Sequence, residues 1–154
     1  MSLSNEDDLI RVVPELLQFN NEGNAIHNWL AAFGQIDASL IYAKLFWPDF
    51  QSLYGSVFLR PIDEVLYEAW MTKLNRDTQK VQRTLNHTHL ADFFCNSEPR
   101  VTTEKLLTLG RLLTETWKQK LKLDFPDQKF EVALAGGTSP DPVDVTITFN
   151  QIGD

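Results

Sequence analysis

Hydrophobic residues recur at helical spacing through most of this chain and alternate with polar residues only near its end. The longest helical pattern is TTEKLLTLGRLLTETWKQKL, which Thr102 or Thr103 caps and which carries one continuous apolar seam. The seam consists of Leu106, Leu109, Leu113, Trp117 and Leu121, and Leu107 and Leu112 widen it. Gly110 lies beside the seam. A glycine inside a helix costs about 1 kcal/mol of stability relative to alanine, so we expect that another segment approaches the helix backbone closely at this position.

The end of the chain carries two segments with the period of a β-strand. KFEVALA alternates large apolar residues with Glu131 and two alanines, and VDVTITFN alternates apolar with polar residues, which is typical of strands with one buried face. The loop between them, GGTSPDP, has the glycines and prolines of a wide hairpin connection. A phosphate-binding loop would need a helix N-terminus after it, whereas Pro142 leads into the second strand. We therefore predict a C-terminal β-hairpin.

The first fifty residues carry several helical patterns. Ser4 caps the first of them, and Pro14 should kink or end it. After a second short pattern, Asp37 caps DASLIYAKLFW, whose apolar positions cover most of the helix circumference. We expect this helix to be buried and to end before Pro48, because proline disfavours helical geometry in the preceding residue.

A strand and an amphipathic helix are predicted next. LYGSVFLR has the composition of a strand, and Pro61 opens a helix that continues through Leu74. The predicted apolar stripe of this helix is Ile62, Val65, Leu66, Ala69 and Trp70. The other face carries Asp63, Glu64, Tyr67 and Glu68.

The segment NHTHLADFF places two imidazoles and a carboxylate within six positions. Asp77 is a plausible N-cap, and the four-residue spacing of Val81, Leu85, His89 and Phe93 favours a helix through this segment. On a helix with about 100° per residue, His87 and His89 lie about 200° apart, so we predict that they do not chelate a metal. On a strand the same two side chains would share a face.

Together these elements predict an α+β fold in a single domain, residues 1–154. Helices pack on one face of a small, mainly antiparallel sheet of about three or more strands, which ends in the C-terminal β-hairpin. The sequence shows no internal repeat and no linker that would divide it.

Composition and charge exclude several classes of function. Hydrophobic residues make up 43% of the 154 residues, so the chain can form a core despite its net charge of −7. Acidic residues outnumber basic ones by 21 to 14, and Lys118, Lys120 and Lys122 are spread around a helix, so we predict no nucleic-acid partner. No apolar run approaches the ~20 residues of a membrane-spanning helix, which predicts no membrane role.

The compartment is predicted from two further features. The first residues, MSLSNEDDL, lack the basic start and the apolar run of a signal peptide. The single cysteine, Cys95, excludes an intramolecular disulfide and fits a reducing compartment. We expect a cytoplasmic protein in which Cys95 is a buried, unreactive thiol, as most free cysteines are.

Three spaced pieces of the middle third carry a resemblance to a family. LIYAKLFWPDF, YGSVFLR and NHTHLADFF, in this order, resemble a pattern in small uncharacterised bacterial proteins. The resemblance implies a bacterial cytosolic protein and attaches no activity, ligand or site residue to the chain.

The favoured function is a non-catalytic protein-interaction module that binds a basic partner through an acidic face. The residues of this face are Asp63, Glu64, Tyr67 and Glu68. Glu64 and Glu68 are like charges one helical turn apart, and aromatic residues such as Tyr67 are enriched at interface cores. An inhibitor, a neutraliser of a basic protein or an adaptor would use such a surface, and an ordinary solvated helix face is the alternative interpretation.

The competing function is a small enzyme or a ligand sensor. It would use His89 and Asp92, together with Cys95, in a pocket beside an aromatic group. The aromatic group consists of Phe46, Trp47, Phe50 and Tyr54, which could equally be ordinary core residues. The sequence lacks the nucleophile elbow, the Walker loop, the dinucleotide fingerprint and the zinc-protease motif, so it predicts no cofactor and no metal.

Overall fold

The chain forms an α+β structure that divides into two compact units. A computed structural model describes residues 6–20, 23–97 and 100–153. The two units are Met1–Leu45 and Phe46–Asp154, and the prediction of a single domain stays a prediction. The predicted α+β class is confirmed, since α-helices accompany two small antiparallel sheets and the last two strands form a hairpin.

The first unit is built from short helices. They are α1 (Glu6–Val12), a 3-10 helix (Pro14–Phe19), α2 (Ala25–Phe33) and α3 (Ile36–Phe46). Pro14 ends α1 as predicted and opens the 3-10 helix, whereas the predicted cap Ser4 lies outside the described residues. The side-chain amide of Asn28 donates to the carbonyl of Phe19 at 3.0 Å and so ties α2 to the 3-10 helix.

Helix α3 is exposed rather than buried. Among its residues, all of which the structure describes, none is buried, and Ile36 is 74% exposed. The prediction of a buried helix is therefore wrong. Apolar side chains surround this helix, so helical spacing alone did not indicate which of them would be covered. The end of α3 at Phe46, two residues before Pro48, agrees with the prediction.

The described residues of the second unit form five strands and include the longest helix. The elements in chain order are β1 (Gln51–Leu53), β2 (Ser56–Phe58), α4 (Glu64–Lys73), α5 (Thr78–Leu85), β3 (Thr88–His89), a 3-10 helix (Leu90–Ser97), α6 (Thr103–Asp124), β4 (Lys129–Ala135), a 3-10 helix (Pro142–Asp144) and β5 (Thr146–Ile152). Helix α6 confirms the longest predicted helix, and the hydroxyl of Thr102 caps it by accepting from the N–H of Lys105 at 3.2 Å. Among the described residues, no helix combines the length and the apolar character that crossing a bilayer requires.

Strand β5 is the centre of a three-stranded antiparallel sheet with the order β3-β5-β4. The register pairs Val132 with Phe149 in the predicted hairpin, which is confirmed. Strand β5 begins at Thr146 rather than at Val143, because Pro142–Asp144 forms a turn of 3-10 helix before it.

The core of the second unit lies between α6 and this sheet. Trp117 of α6 is fully buried and meets Phe50 and Phe149 edge to face, with ring centroids 6.3 and 6.2 Å apart. A Cβ atom at Gly110 would overlap the side chain of Leu134 and would lie 3.1 Å from Cδ1 of Leu90. The expected close approach at this glycine is therefore present, and side chains rather than backbone make it.

Candidate functional site

The segment predicted as one strand, LYGSVFLR, is a tight β-hairpin. Strands β1 and β2 pair antiparallel with Leu53 opposite Ser56, which leaves Tyr54 and Gly55 as a two-residue turn. Both turn residues have positive φ angles, 50° for Tyr54 and 80° for Gly55. This is the backbone of the mirror-image turns that join two twisted strands, and it explains why the chain reverses here instead of continuing as one strand.

Tyr54 occupies a backbone conformation that a bulky side chain rarely adopts. The first position of such a turn favours asparagine, aspartate or glycine, because a Cβ atom is crowded at positive φ. The tyrosine side chain does not compensate by burial, since it is 63% exposed. Tyr54 is therefore an exposed aromatic residue at a hairpin tip, on a backbone conformation that disfavours its side chain.

Helix α4 presents its acidic side to this turn. The carboxylate of Asp63 caps the helix by accepting from the N–H of Leu66 at 2.7 Å. Tyr67 and Met71 face inward, and Tyr67 is only 4% exposed. Val65 is 82% exposed, whereas Ile62 and Trp70 pack partly buried against the core, so only part of the predicted apolar stripe faces inward.

A hydrogen bond connects the turn to the helix. The hydroxyl of Tyr54 bonds to the carboxylate of Glu64, and this bond raises the pKa of the phenol above its usual value. Burial and the negative charges of Glu64 and Glu68 raise the pKa further. The protonated phenol therefore donates to Glu64, and the Tyr54 ring lies 5.6 Å from the ring of Tyr67 beneath it.

Glu68 lies one helical turn beyond Glu64 on the same side of α4. Its carboxylate is 3.3 Å from the guanidinium of Arg76, and both side chains are largely exposed. We call the group Tyr54, Glu64, Val65 and Glu68 the Tyr54 face, to which Val65 belongs because it is three residues before Glu68 and so adjoins it on the helix surface. It combines two carboxylates, an aromatic ring and an exposed aliphatic side chain.

The four residues predicted for binding therefore have three different roles. Glu64 and Glu68 are exposed on the Tyr54 face, whereas Asp63 is engaged as a helix cap. Tyr67 belongs to the core, where it packs with Phe58, Met71 and Val81. The prediction of Tyr67 as an exposed binding residue is wrong, because the hairpin covers it. Tyr54 was missed as a partner of the acidic residues, because Tyr-Gly is not one of the residue pairs that indicate a two-residue hairpin turn.

The stretch around the histidines is extended, so the predicted helix through it is wrong. Helix α5 begins after the predicted cap Asp77 but ends at Leu85. Thr88 and His89 then pair with β5 as strand β3. The imidazole rings of His87 and His89 lie beside each other with centroids 5.0 Å apart, instead of pointing in opposite directions. Partial burial lowers the pKa of His87 below its usual value, and His89 lowers it further.

The alternative catalytic residues are not joined in the described structure. Nδ1 of His89 lies 2.8 Å from the carbonyl oxygen of Val143, so His89 bonds to the backbone rather than to Asp92. Cys95 is exposed, which contradicts the prediction of a buried thiol. Cys95 lies on a 3-10 helix that follows strand β3. The prediction had placed it on the buried side of one continuous α-helix.

The four aromatic residues that were predicted beside this pocket do not line one common surface. Phe50 is buried against Trp117 and Phe149 in the core, whereas Trp47 and Tyr54 are exposed. Phe149 lies three residues from the strand position that pairs with His89, which is roughly 10 Å along β5. Within the part of the chain that the structure describes, no group of three or more His, Cys, Asp or Glu side chains could hold a metal ion.

The chain was also compared with known proteins. Searches against protein-family models, curated proteins and solved structures find no match. The bacterial resemblance of the middle third stays an expectation from the sequence. The chemistry of the Tyr54 face is therefore the basis on which a function is inferred.

Proposed function

We propose that this protein is a non-catalytic protein-binding module that receives a basic partner on the Tyr54 face. One observation carries the proposal. Tyr54 is exposed in a left-handed backbone conformation at a hairpin tip, and its hydroxyl is bonded to Glu64. Smaller residues favour that conformation, so the tyrosine is better explained by its contact surface than by the stability of the turn.

The chemistry of the face fits an arginine or a lysine of the partner. Carboxylates of Glu64 and Glu68 can accept charge-assisted hydrogen bonds, which are stronger than bonds between neutral groups. The ring of Tyr54 offers a π-face to the same cation. Arginine suits this combination best, because its planar guanidinium can bind a carboxylate with two parallel hydrogen bonds and stack on an aromatic ring.

The intramolecular ion pair on the face does not prevent such binding. Glu68 and Arg76 are 3.3 Å apart with exposed side chains, and an exposed pair contributes roughly 0–1 kcal/mol. A cation of the partner can replace Arg76 at little cost. Val65 adds an apolar contact beside the charges, which favours a protein partner over a free cation.

The charge of the whole chain supports the same class of partner. A net charge of −7 attracts a basic protein over the Debye length, which is about 8 Å at physiological salt. Association should therefore be accelerated and should weaken as salt is added.

We also propose that the protein works in a reducing compartment such as the cytosol. Its single cysteine is exposed and free, and an oxidising environment would leave that thiol open to intermolecular disulfide formation.

The proposal is tested by the affinity for a short synthetic peptide of arginine and leucine residues. The double variant Glu64→Gln and Glu68→Gln should bind this peptide at least about tenfold more weakly than the parent chain. The matched control is Glu115→Gln with Asp127→Asn, which removes the same charge from exposed positions elsewhere and should change affinity less than about twofold. Equal losses for both pairs would mean that only the net charge attracts the peptide, and would refute the assigned face.

A further inference from the structure

We propose that His87 and His89 form a binding site for one divalent transition-metal ion of the zinc, nickel and copper class. The proposal does not depend on the Tyr54 face. It rests on the backbone of β3, on the hydrogen bond of His89 and on the separation of the two rings.

His87 directly precedes strand β3, and its ring lies beside that of His89, which is in the strand. Strand β3 is held by β5, with Thr88 opposite Ile147 and His89 opposite Thr146, and the N–H of Leu90 donates to the carbonyl of Val145 at 3.0 Å. In an extended chain, residues two apart project to the same face. His87 and His89 have that spacing, and the proximity of their rings agrees with it.

The hydrogen bond of His89 fixes which nitrogen is available. A carbonyl oxygen can only accept, so the Nδ1 of His89 must carry the proton that bonds to Val143 at 2.8 Å. In the neutral ring, Nε2 then has the free lone pair that a metal ion requires. Metal-binding histidines almost always donate their other N–H to a carbonyl, a carboxylate or a water, which fixes the orientation of the ring. His89 meets this condition before any ion binds.

The distance between the rings matches two imidazoles on one ion. With Zn–N bonds of about 2.0–2.1 Å and a tetrahedral angle, the centroids of two coordinated imidazoles lie roughly 5 Å apart. The centroids of His87 and His89 are 5.0 Å apart. The two rings now lie edge to face at an interplanar angle of 81°, and His87 is exposed, so a rotation of its side chain would direct a nitrogen atom to the point that Nε2 of His89 faces.

The ligand type selects the class of ion. Imidazole nitrogen suits zinc, copper and nickel, whereas magnesium and calcium prefer oxygen ligands. Two histidines leave at least two tetrahedral positions, which water or a group of another molecule fills. The site is therefore open, with coordination positions accessible from solvent.

The test is a calorimetric titration of the full chain with Zn²⁺, with Mg²⁺ as the control ion. We expect one Zn²⁺ per chain, no Mg²⁺ binding, and a loss of Zn²⁺ affinity of at least about tenfold in His87→Ala and in His89→Ala. His27→Ala is the matched control, because His27 is the third histidine and lies on α2; it should bind like the parent, and so should Cys95→Ser. Zinc binding that survives His87→Ala, or that is lost in His27→Ala or Cys95→Ser, would overturn the proposal.

A second measurement covers the case in which His89→Ala does not fold. Imidazole ¹H–¹⁵N spectra of the parent chain should show a protonated Nδ1 in His89 before and after Zn²⁺ is added. The Nε2 resonance of His89 and a ring nitrogen of His87 should shift together on binding. A Zn²⁺ titration that leaves either ring unperturbed would equally overturn the site.

Discussion

The side-chain amide of Asn86 donates to the carbonyl oxygen of Phe149 at 3.2 Å and thereby ties the end of α5 to the central strand of the sheet. The same Nδ2 donates to the carbonyl of Val57 at 3.0 Å, and Oδ1 accepts from the N–H of Leu59 at 2.9 Å. One buried side chain therefore joins the β1–β2 hairpin, α5 and β5. The hairpin that carries Tyr54 is held in place through this amide.

Replacement of Asn86 should be strongly destabilising. Asn86→Ala leaves buried backbone groups of Val57, Leu59 and Phe149 without their partner, at a cost of about 2–4 kcal/mol in the free energy of unfolding. Urea denaturation measures this difference. Asn96→Ala changes an exposed asparagine and should stay within about 0.5 kcal/mol of the parent. Similar effects for the two substitutions would show that the amide does not join the sheets.

Trp117 and Trp47 should differ sharply in their contribution to stability. Trp117 is fully buried against Phe50 and Phe149, so Trp117→Ala should reduce the free energy of unfolding by about 3–5 kcal/mol. Trp47 is exposed, and Trp47→Ala should cost less than about 1 kcal/mol. Both values come from urea unfolding followed by circular dichroism, and a larger effect at Trp47 would contradict the packing of the core.

The orientation of α4 is tested by two substitutions six residues apart. Met71 is buried beside Phe58 and Tyr67, so Met71→Ala should cost about 2–5 kcal/mol. Val65→Lys should change the free energy of unfolding by less than about 0.5 kcal/mol, because Val65 is exposed. If Val65→Lys unfolds the protein while Met71→Ala is tolerated, the helix is turned the other way, as its sequence pattern predicts.

The charge of Asp77 should make the free energy of unfolding depend on pH, in a direction that its lowered pKa determines. Its carboxylate caps α5, and the hydrogen bond from the N–H of Lys80 at 3.0 Å, with the Lys80 side chain nearby, holds the pKa of Asp77 below its usual value. A lowered native pKa means that the contribution of this charge is complete above the unfolded value of about 3.9 and is lost as the pH falls through the native pKa. Asp77→Asn keeps a capping side chain but removes the charge.

The comparison of the parent with Asp77→Asn isolates that charge. Urea unfolding at a series of pH values should show the parent as the more stable of the two at neutral pH. The difference should shrink as the pH falls below about 4 and should disappear under more acidic conditions. A difference that stays constant across this range would show that the charge does not contribute to the cap.

The elements that sequence patterns predicted correctly are those with long, regular periods. The seam of α6 repeats over several turns, and the alternation in β4 continues over seven residues, so local spacing identifies both. The stretch after α5 is different. Val81, Leu85, His89 and Phe93 have helical spacing, but the pairing of β3 with β5 and the hydrogen bonds of Asn86 outweigh the local preference.

The candidate site was predictable only in part, for a related reason. Apolar residues are spread almost evenly around α4, so the neighbouring hairpin decides that Tyr67 and Met71 face inward and Val65 faces solvent. The two glutamates could be placed on one face from their spacing alone. Their contact with Tyr54 depends on a turn in which a tyrosine takes a conformation that favours smaller residues, which residue preferences do not predict.

The most direct test of the binding role of Tyr54 measures stability and affinity in the same two variants. Tyr54→Asn and Tyr54→Ala both remove the ring, but asparagine accepts positive φ more readily. We predict that Tyr54→Asn unfolds at a higher urea concentration than Tyr54→Ala, and that both variants bind the arginine–leucine peptide at least about fivefold more weakly than the parent. If both variants fold and retain the affinity of the parent, the tyrosine is not part of a binding surface and the proposed function is contradicted.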